Sequence, residues 1–248
     1  FELLRQQALT LAQVRQLVLD EADRLLEMGF RRELEQLLEL LVARQQTLLF
    51  SATFPDAVTG LAQALLRTPQ RITVESRPQG AIDEQGYWVN KGSKAALLLH
   101  LLQQRSGETA LVFVNQRATA DSLVKRLCKQ GVAAAALHGD KPQAERSGIL
   151  ARLQAGALPV LVATDLAARG LDISALPLVI NFELPDAPAT YVHRIGRTGR
   201  AGRSGVALSL IAHGDMPALQ AIEALTGNGI TLQELAEFPV TDVPATEE

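Results

Sequence analysis

Short apolar or β-branched runs recur along the chain, and each is followed by a longer segment whose apolar residues repeat with a helical period. One helical stripe consists of Leu34, Leu37, Leu38 and Leu41, at positions i, i+3, i+4 and i+7. Strands that alternate with helices are typical of βαβ units, so this pattern predicts an α/β fold with parallel sheets. The predicted strands are Arg15–Leu19, Thr47–Phe50, Arg71–Glu75, Ala110–Val114, Ala133–Leu137, Pro159–Ala163, Leu178–Phe182 and Val206–Ile211.

The alternation is interrupted at Ser76–Lys91. This stretch contains Pro78, Gly80 and Gly86 among several polar residues, and it predicts a linker that leads into the first strand or edge of a second unit near Tyr87. The end of the chain carries acidic residues without Lys or Arg, which predicts a short helix followed by a frayed end. The predicted organisation is a first domain at 1–75, a linker at 76–92, a second domain at 93–228 and an acidic tail at 229–248.

Charge and cysteine content exclude several kinds of site. The formal net charge is −3, so any nucleic-acid binding has to come from local clusters rather than from the charge of the whole chain. The single cysteine, Cys128, allows no intramolecular disulfide and no cysteine-rich zinc site, which fits a reducing cytoplasm. No apolar run reaches the roughly 18 residues of a membrane span, so no membrane partner is expected.

Polar residues follow two strands in the first domain. Asp20 and Glu21 come directly after an apolar run, which is how P-loop NTPases present one acid to Mg²⁺ and another to the attacking water. A charged helix start explains the same residues equally well. Ser51 and Thr53 follow the next strand and can hydrogen-bond a carboxylate nearby, although an N-cap before a helix opened by Pro55 is the simpler interpretation.

Two strand ends of the second domain have a similar character. A helix that begins near Pro142 has exposed backbone N–H groups suited to a phosphate, with Arg146 one turn further on, but a plain capped helix fits as well. The run that ends at Thr164 is followed by an acid, and Gly170 and Asp172 come a few residues later.

The segment from Arg194 to Arg203 is the most specific signal. It holds four arginines and three glycines in ten residues and no carboxylate. Glycines allow the backbone to approach a polyanion while guanidinium groups reach phosphate oxygens. The pattern indicates phosphate binding, and it leaves open whether the phosphate belongs to RNA or to ATP.

Taken together, these segments resemble the motifs of DEAD-box RNA helicases, and the wording is closest to bacterial members. Each short match is weak, but six matches in the family's order make the resemblance specific over nearly the whole chain apart from the tail. The matching segments are Asp20–Asp23 (motif II), Ser51–Thr53 (motif III), Val112–Asn115 (motif IV), Gln143 with Arg146 (the motif after it), Ala163–Asp172 (motif V) and His193–Arg200 (motif VI).

The resemblance implies RecA-like parallel sheets of the P-loop NTPase type with helices on both faces, as a partial first domain and a complete second domain. It implies ATP and Mg²⁺ as cofactors, and binding to the sugar-phosphate backbone of RNA independently of sequence. The implied residues are Glu21, Arg197 and Arg200 for catalysis, Asp20 for Mg²⁺ (largely through water), Asp172, Gly170, Asp23 and His193 for the nucleotide, Arg146, Thr164 and Asn115 for RNA, and Ser51 and Thr53 for coupling hydrolysis to strand separation.

The chain departs from the family in one respect, because it contains no Gly-Lys dipeptide and therefore no Gly-x-x-x-x-Gly-Lys-Ser/Thr loop. The expected function is RNA-stimulated ATP hydrolysis coupled to local unwinding of RNA duplexes, and this chain is not expected to hydrolyse ATP alone. The alternatives are a non-catalytic RNA-binding or regulatory module that keeps only the helicase C-terminal domain, and a DNA-directed helicase.

Several other residues that carry reactive or aromatic groups are expected to be structural. Cys128 lies on an apolar helix stripe and is predicted to be a core residue rather than a nucleophile. His100 is expected to pack on its helix, and His213 has no motif around it. Trp88 is expected to pack the linker onto the second domain.

Overall fold

The computed structural model describes residues 1–73, 82–168, 176–199 and 204–241. The chain divides into two compact units, Phe1–Val74 and Glu75–Glu248, and each contains its own parallel sheet. None of the helices in the described ranges is long and apolar enough to cross a membrane.

The first unit consists of a two-stranded parallel sheet and four helices. The strands pair in register, with Leu17 opposite Thr47 and Val18 opposite Leu48. The elements are α1 (Glu2–Arg5), β1 (Gln16–Leu19), α2 (Ala22–Glu27), α3 (Arg31–Glu39), β2 (Gln46–Leu49) and α4 (Asp56–Leu65).

Only one face of this small sheet is covered. Leu17 and Leu19 point into a core with residues of α3 and α4, because successive side chains of a strand point to opposite faces. On the opposite face Val18 is 55% exposed and Leu48 is 39% exposed, and Phe50, just beyond β2, is 53% exposed. The first unit therefore carries an apolar sheet face in contact with solvent.

The second unit is built on seven parallel strands in the order β5-β6-β4-β7-β8-β3-β9. The strands are β3 (Ile82–Trp88), β4 (Ala110–Val114), β5 (Ala134–Leu137), β6 (Val160–Thr164), β7 (Leu178–Asn181), β8 (Gly205–Ile211) and β9 (Leu232–Gln233). The helices are α5 (Lys94–Gln104), α6 (Arg117–Lys129), α7 (Gln143–Gln154), α8 (Asp165–Ala168), α9 (Pro188–Ile195) and α10 (Met216–Thr226), with 3-10 turns at Lys91–Ser93 and His213–Asp215.

Helices cover both faces of this sheet, as predicted. Every residue of the central strand β4 is buried. Val112 and Val114 face a core that includes Leu98 and Leu127 of α5 and α6, whereas Leu111 and Phe113 face a second core that includes residues of α7. An apolar run that is buried on both faces is typical of a parallel strand.

The predicted strands are confirmed with shifts of at most one residue, except for Arg71–Glu75. That prediction is wrong for residues 71–73, which form no strand, and 74–75 lie outside the described residues. The predicted linker is wrong at residues 82–86, which form the first part of β3, whereas the strand expected near Tyr87 is present. Its sequence hides the strand, because polar residues such as Asp83 and Gln85 are tolerated near the edge of a sheet.

The end of the chain also differs from expectation. Residues 229–241 contain no helix, and Leu232 and Gln233 pair with β3 as a short edge strand. Gly86 makes this approach possible, since a Cβ there would lie 2.5 Å from Leu232 Cδ2. Asn90 then holds the segment through hydrogen bonds with the Thr241 backbone N–H (3.0 Å) and hydroxyl (2.9 Å).

The prediction for Cys128 is wrong as well. Its side chain is exposed on α6, while its neighbour Leu127 takes the buried position. A helix turns about 100° per residue, and in the register that α6 adopts Leu127 faces the core while Cys128 is turned toward solvent.

The uncovered sheet face of the first unit leads to a prediction about stability. Two four-residue strands with one solvated apolar face form a weak sheet, so amides of Leu17–Leu19 should exchange with solvent at least about 100-fold faster than those of Val160–Val162. Hydrogen exchange on the intact chain, with light scattering to establish its association state, measures this difference.

A matched pair of variants tests the cause. Val18→Lys should reduce self-association of the chain because it places a charge on the apolar face, whereas Val42→Lys, at a position outside both strands that is 79% exposed, should not. Slow exchange at Leu17–Leu19 in a demonstrated monomer would contradict the prediction.

Candidate functional site

The carboxyl end of β1 presents two acids in succession. Asp20 is exposed, and its Oδ1 accepts a hydrogen bond from the Glu21 backbone N–H (2.9 Å). Glu21 has φ 51° and ψ 47°, a left-handed conformation that is uncommon for residues other than glycine. Backbone strain of this kind clusters at functional sites, and here it lies directly after the strand, between Asp20 and α2.

Asp23 connects the ends of β1 and β2. It is only 2% exposed, and its Oδ2 accepts hydrogen bonds from the Thr53 backbone N–H (3.0 Å) and hydroxyl (2.7 Å). Ser51 Oγ accepts from the Asp23 N–H (3.1 Å) and donates to the Thr53 carbonyl (2.7 Å). The hydrogen bond that the sequence predicts between Thr53 and a neighbouring carboxylate is present. Ser51 instead reaches the backbone of Asp23.

The geometry at Asp20 is compatible with a magnesium ion held mainly through water. No group of three or more His, Cys, Asp or Glu residues that could hold a metal occurs within the described ranges. Mg²⁺ usually keeps several waters and binds one or two protein carboxylates together with substrate phosphates. One exposed carboxylate at a strand end therefore fits this ion, and it does not fit a metal that needs a full set of protein ligands.

Arg194 lies at the centre of a buried polar cluster in the second unit. It is 1% exposed, and its guanidinium binds Asp165 through two parallel hydrogen bonds, from Nε (2.8 Å) and from Nη2 (2.7 Å). The ring of Phe113 lies beneath the guanidinium, 5.0 Å from the ring centroid. The charge is thus paired and stacked, which is how buried arginines are accommodated.

The remaining donors of Arg194 are satisfied by two other segments, which lie at the ends of β7 and β4. Nη1 donates to the Glu183 carbonyl (2.6 Å) and lies 3.3 Å from Asn181 Oδ1, and Nη2 donates to Asn115 Oδ1 (2.8 Å). The Asn115 amide in turn donates to the Leu184 carbonyl (2.8 Å). One side chain therefore fixes α9 against the ends of β4, β6 and β7.

One sequence-based interpretation changes as a result. The arginines of Arg194–Arg203 were expected to reach phosphate oxygens, and this is wrong for Arg194, which is buried and whose donors are taken up by groups of the protein. Asn115 is exposed just after β4, and its side-chain amide bonds Arg194 and the Leu184 carbonyl, so its contact with RNA stays a prediction. The signal for the burial of Arg194 lay in α9, where it shares a helix face with the buried Tyr191 and Ile195.

The end of α9 continues into the glycine-rich turn. His193 and Arg197 are both half-buried there. Thr198 is fully buried, and its hydroxyl donates to the Leu176 carbonyl. Gly205 must be glycine because a Cβ would lie 1.9 Å from Thr198 Oγ1. The predicted site residues Arg200, Gly170 and Asp172 lie outside the described residues.

The predicted RNA contacts Arg146 and Thr164 lie near the carboxyl ends of β5 and β6. Thr164 is the last residue of β6 and is 8% exposed. Arg146 lies in the first turn of α7, which begins after Pro142 as predicted, and its Nε is buried without a hydrogen-bond partner. Such a buried donor is uncommon in folded proteins.

Sequence reasoning missed a contact between α9 and β3. The Tyr191 hydroxyl donates to Glu84 Oε2 (2.8 Å). Burial raises the pKa of the Tyr191 hydroxyl, and the adjacent Glu84 carboxylate raises it further. No local pattern could have revealed this pair, because the two residues are 107 positions apart.

Comparison with family models gives matches in both units. A model of the DEAD/DEAH box helicase family matches residues 1–61, and a model of the helicase conserved C-terminal domain matches residues 93–202. Among curated proteins, the chain is 41% identical to a DEAD-box ATP-dependent RNA helicase CshA from Geobacillus kaustophilus over 220 residues, which cover 88% of the chain and 47% of the relative. An ATP-dependent RNA helicase CshA from Listeria monocytogenes is 39% identical and is covered to 43%. The chain therefore spans less than half the length of these relatives.

Solved structures of helicases are also similar to this chain. The chain is similar to S. cerevisiae Dbp5 bound to RNA and ADP BeF3, with a TM-score of 0.82 and 32% identity over 94% of this chain and 62% of that one. It is also similar to the E. coli DEAD-box protein SrmB bound to regulator of ribonuclease activity A, with a TM-score of 0.62 and 38% identity over 66% of this chain and 98% of that one.

The buried cluster around Arg194 leads to a prediction about folding. Arg194→Met should destabilise the second unit by about 3–5 kcal/mol, since it leaves the Asp165 carboxylate partly buried without its partner. Chemical denaturation followed by circular dichroism measures the change.

The double variant Arg194→Met with Asp165→Asn is the matched control. It should recover much of the lost free energy of unfolding, because both charges are removed together. Equal destabilisation in the single and double variants would show that packing of the long side chain, and not the ion pair, is what matters.

Proposed function

This chain belongs to the DEAD-box RNA helicase family, and on that premise we propose that it is part of an ATP-dependent RNA helicase that couples ATP hydrolysis to local unwinding of RNA. The observation that carries the proposal is the hydrogen-bonded set of Asp23, Ser51 and Thr53, which joins the strand end with the adjacent acids to the next strand end. The names of the curated relatives support an enzyme rather than a stand-alone RNA-binding module.

In this proposal the first unit supplies the hydrolytic carboxylates. Asp20 would hold Mg²⁺, largely through water, and the bound ion would supply positive charge beside the phosphates. Glu21 orients the attacking water and accepts its proton. Asp23 is held by Thr53 and Ser51, so a change at the nucleotide can alter the position of the segment after β2.

The second unit supplies positive charge and an RNA surface. Arg197 and Arg200 stabilise charge on the transferred phosphoryl group, and Gly170, Asp172 and His193 contact the nucleotide.

Arg194 acts differently, since its buried contacts fix α9 and so set the starting position of the arginine segment. Arg146, Thr164 and Asn115 contact the sugar-phosphate backbone of RNA, a role supported by the positions of all three near the carboxyl ends of β4, β5 and β6. Cys128 as the only cysteine is compatible with the cytoplasmic location that we propose.

The absence of a Gly-Lys dipeptide gives the first test. The purified 248-residue chain should hydrolyse no ATP, with or without RNA, because no Walker-type loop places the β- and γ-phosphates beside Asp20 and Glu21. Release of phosphate in the presence of single-stranded RNA measures this, and turnover that Glu21→Gln abolishes would contradict it.

A form of the protein that carries such a loop provides the positive control. There Arg200→Ala should reduce turnover by roughly 10³ while ATP affinity changes much less, as for groups that act on transition-state charge. A loss of less than about tenfold would reassign Arg200 to RNA binding.

The RNA surface can be tested on this chain directly. Arg146→Ala should weaken binding to single-stranded RNA similarly for all sequences and reduce the slope of log K against log salt by about one. Fluorescence anisotropy over a salt series measures both quantities. An unchanged slope would remove Arg146 from the interface.

A further inference from the structure

A groove of about 500 Å³ lies beside β5, at the edge of the seven-stranded sheet. Its floor is formed by Ala135 and Ala136 of β5, and its walls include Val124 of α6 and Ile149 of α7. None of the residues proposed above for ATP or RNA lines this groove. It is therefore a separate surface of the second unit.

The floor of the groove offers unpaired backbone. β5 pairs with β6 on one side, and no described strand pairs with it on the other. Such an edge presents free N–H and carbonyl groups that can pair with a further extended segment. The alanines on the floor and the open space around Gly148 on α7 leave room for a peptide backbone to approach.

Charges at the carboxyl end of the groove are already paired with one another. Asp121 accepts a hydrogen bond from His138 Nε2 (3.1 Å) and lies 3.6 Å from Lys141 Nζ, which lies 3.1 Å from Glu145. The hydrogen bond from His138 lowers the pKa of the Asp121 carboxyl, and the one to Glu145 raises the pKa of the Lys141 amine. These contacts tie the charged groups at this end of the groove to one another.

Two cations toward the other end have no such partners. Lys125 on α6 and Arg152 on α7 are exposed, and neither side chain forms an ion pair with another described residue. The two helices pack on opposite faces of the sheet, so these cations stand on opposite walls. Consecutive side chains of an extended peptide also point to opposite faces, so two adjacent carboxylates would meet one cation each.

We propose that this groove binds an extended segment of a protein partner, which adds to the sheet beside β5 and places two consecutive Asp or Glu side chains against Lys125 and Arg152. An exposed strand edge favours a peptide over RNA, because a peptide alone can continue the backbone hydrogen bonds of the sheet. The site does not depend on the proposed helicase activity.

Two capped peptides of equal length test the proposal, acetyl-Thr-Val-Thr-Glu-Glu-Val-Thr-Val-amide and the same sequence with Lys-Lys in place of Glu-Glu. Titrated into the ¹⁵N-labelled chain, the acidic peptide should bind about fivefold or more tightly than the basic one, as two exposed ion pairs allow. It should shift amide signals of Ala134–Leu137 and slow their hydrogen exchange. Absence of binding, equal binding of both peptides, or shifts confined to other surfaces would each overturn the proposal.

Three variants locate the interaction. Gly148→Phe should abolish binding without unfolding the chain, because a Cβ at Gly148 meets no atom within 4 Å. Lys125→Glu with Arg152→Glu should reverse the preference between the peptides. Arg126→Glu is the control, because Arg126 lies next to Lys125 on α6 but does not line the groove. This variant should leave the preference for the acidic peptide unchanged. Single-stranded RNA that shifts the groove residues where the acidic peptide does not would also overturn the proposal.

Discussion

The guanidinium of Arg194 is a buried charge on which four separate segments of the second unit depend. Its partners come from the ends of β4, β6 and β7, and its own helix, α9, carries the arginine-rich turn that follows. Burying a charge is costly unless it is paired and fully hydrogen-bonded, so this arrangement exists only when all these segments are in place. The cluster therefore holds these strand ends in one arrangement, and the proposed ligand contacts lie near them. Its role differs from the one proposed for Arg197 and Arg200, although all three belong to the same short motif.

The two units differ in how completely their sheets are covered. In the second unit, Thr164 and Asn115 are held at the ends of β6 and β4, two strands that are buried along their length. In the first unit the strand ends that carry Asp20 and Thr53 rest on a sheet with one apolar face in solvent. The hydrogen bonds of Asp23 then become important for position, because they join two short strands at the point where the acids emerge.

Much of the fold follows from the sequence, since buried parallel strands are apolar runs and their helices carry stripes of leucine and alanine. Most of β3 was not predicted because its polar residues resemble a linker. β9 was not predicted because a strand of two residues carries no periodic signal. At the site, the positions of Asp20, Glu21, Ser51 and Thr53 were predictable from their places after apolar strands. The internal use of Arg194 and Asn115 was not, because a motif gives residue types in order and gives no information on which donors are already satisfied. Contacts such as Tyr191 with Glu84 depend on distant pairing that no local pattern encodes.

The place of β3 in the sheet has a consequence for synthesis on the ribosome. Its two neighbours, β8 and β9, both come late in the chain, and Asn90 just after it contacts a residue 151 positions further on. β3 therefore emerges long before any strand with which it can pair. Strands β4 to β7 can associate among themselves as they are made, whereas β3 must wait as an unpaired segment and join last. A nascent chain that stalled before residue 205 would hold the central strands of the second unit but leave β3 open to association with other chains.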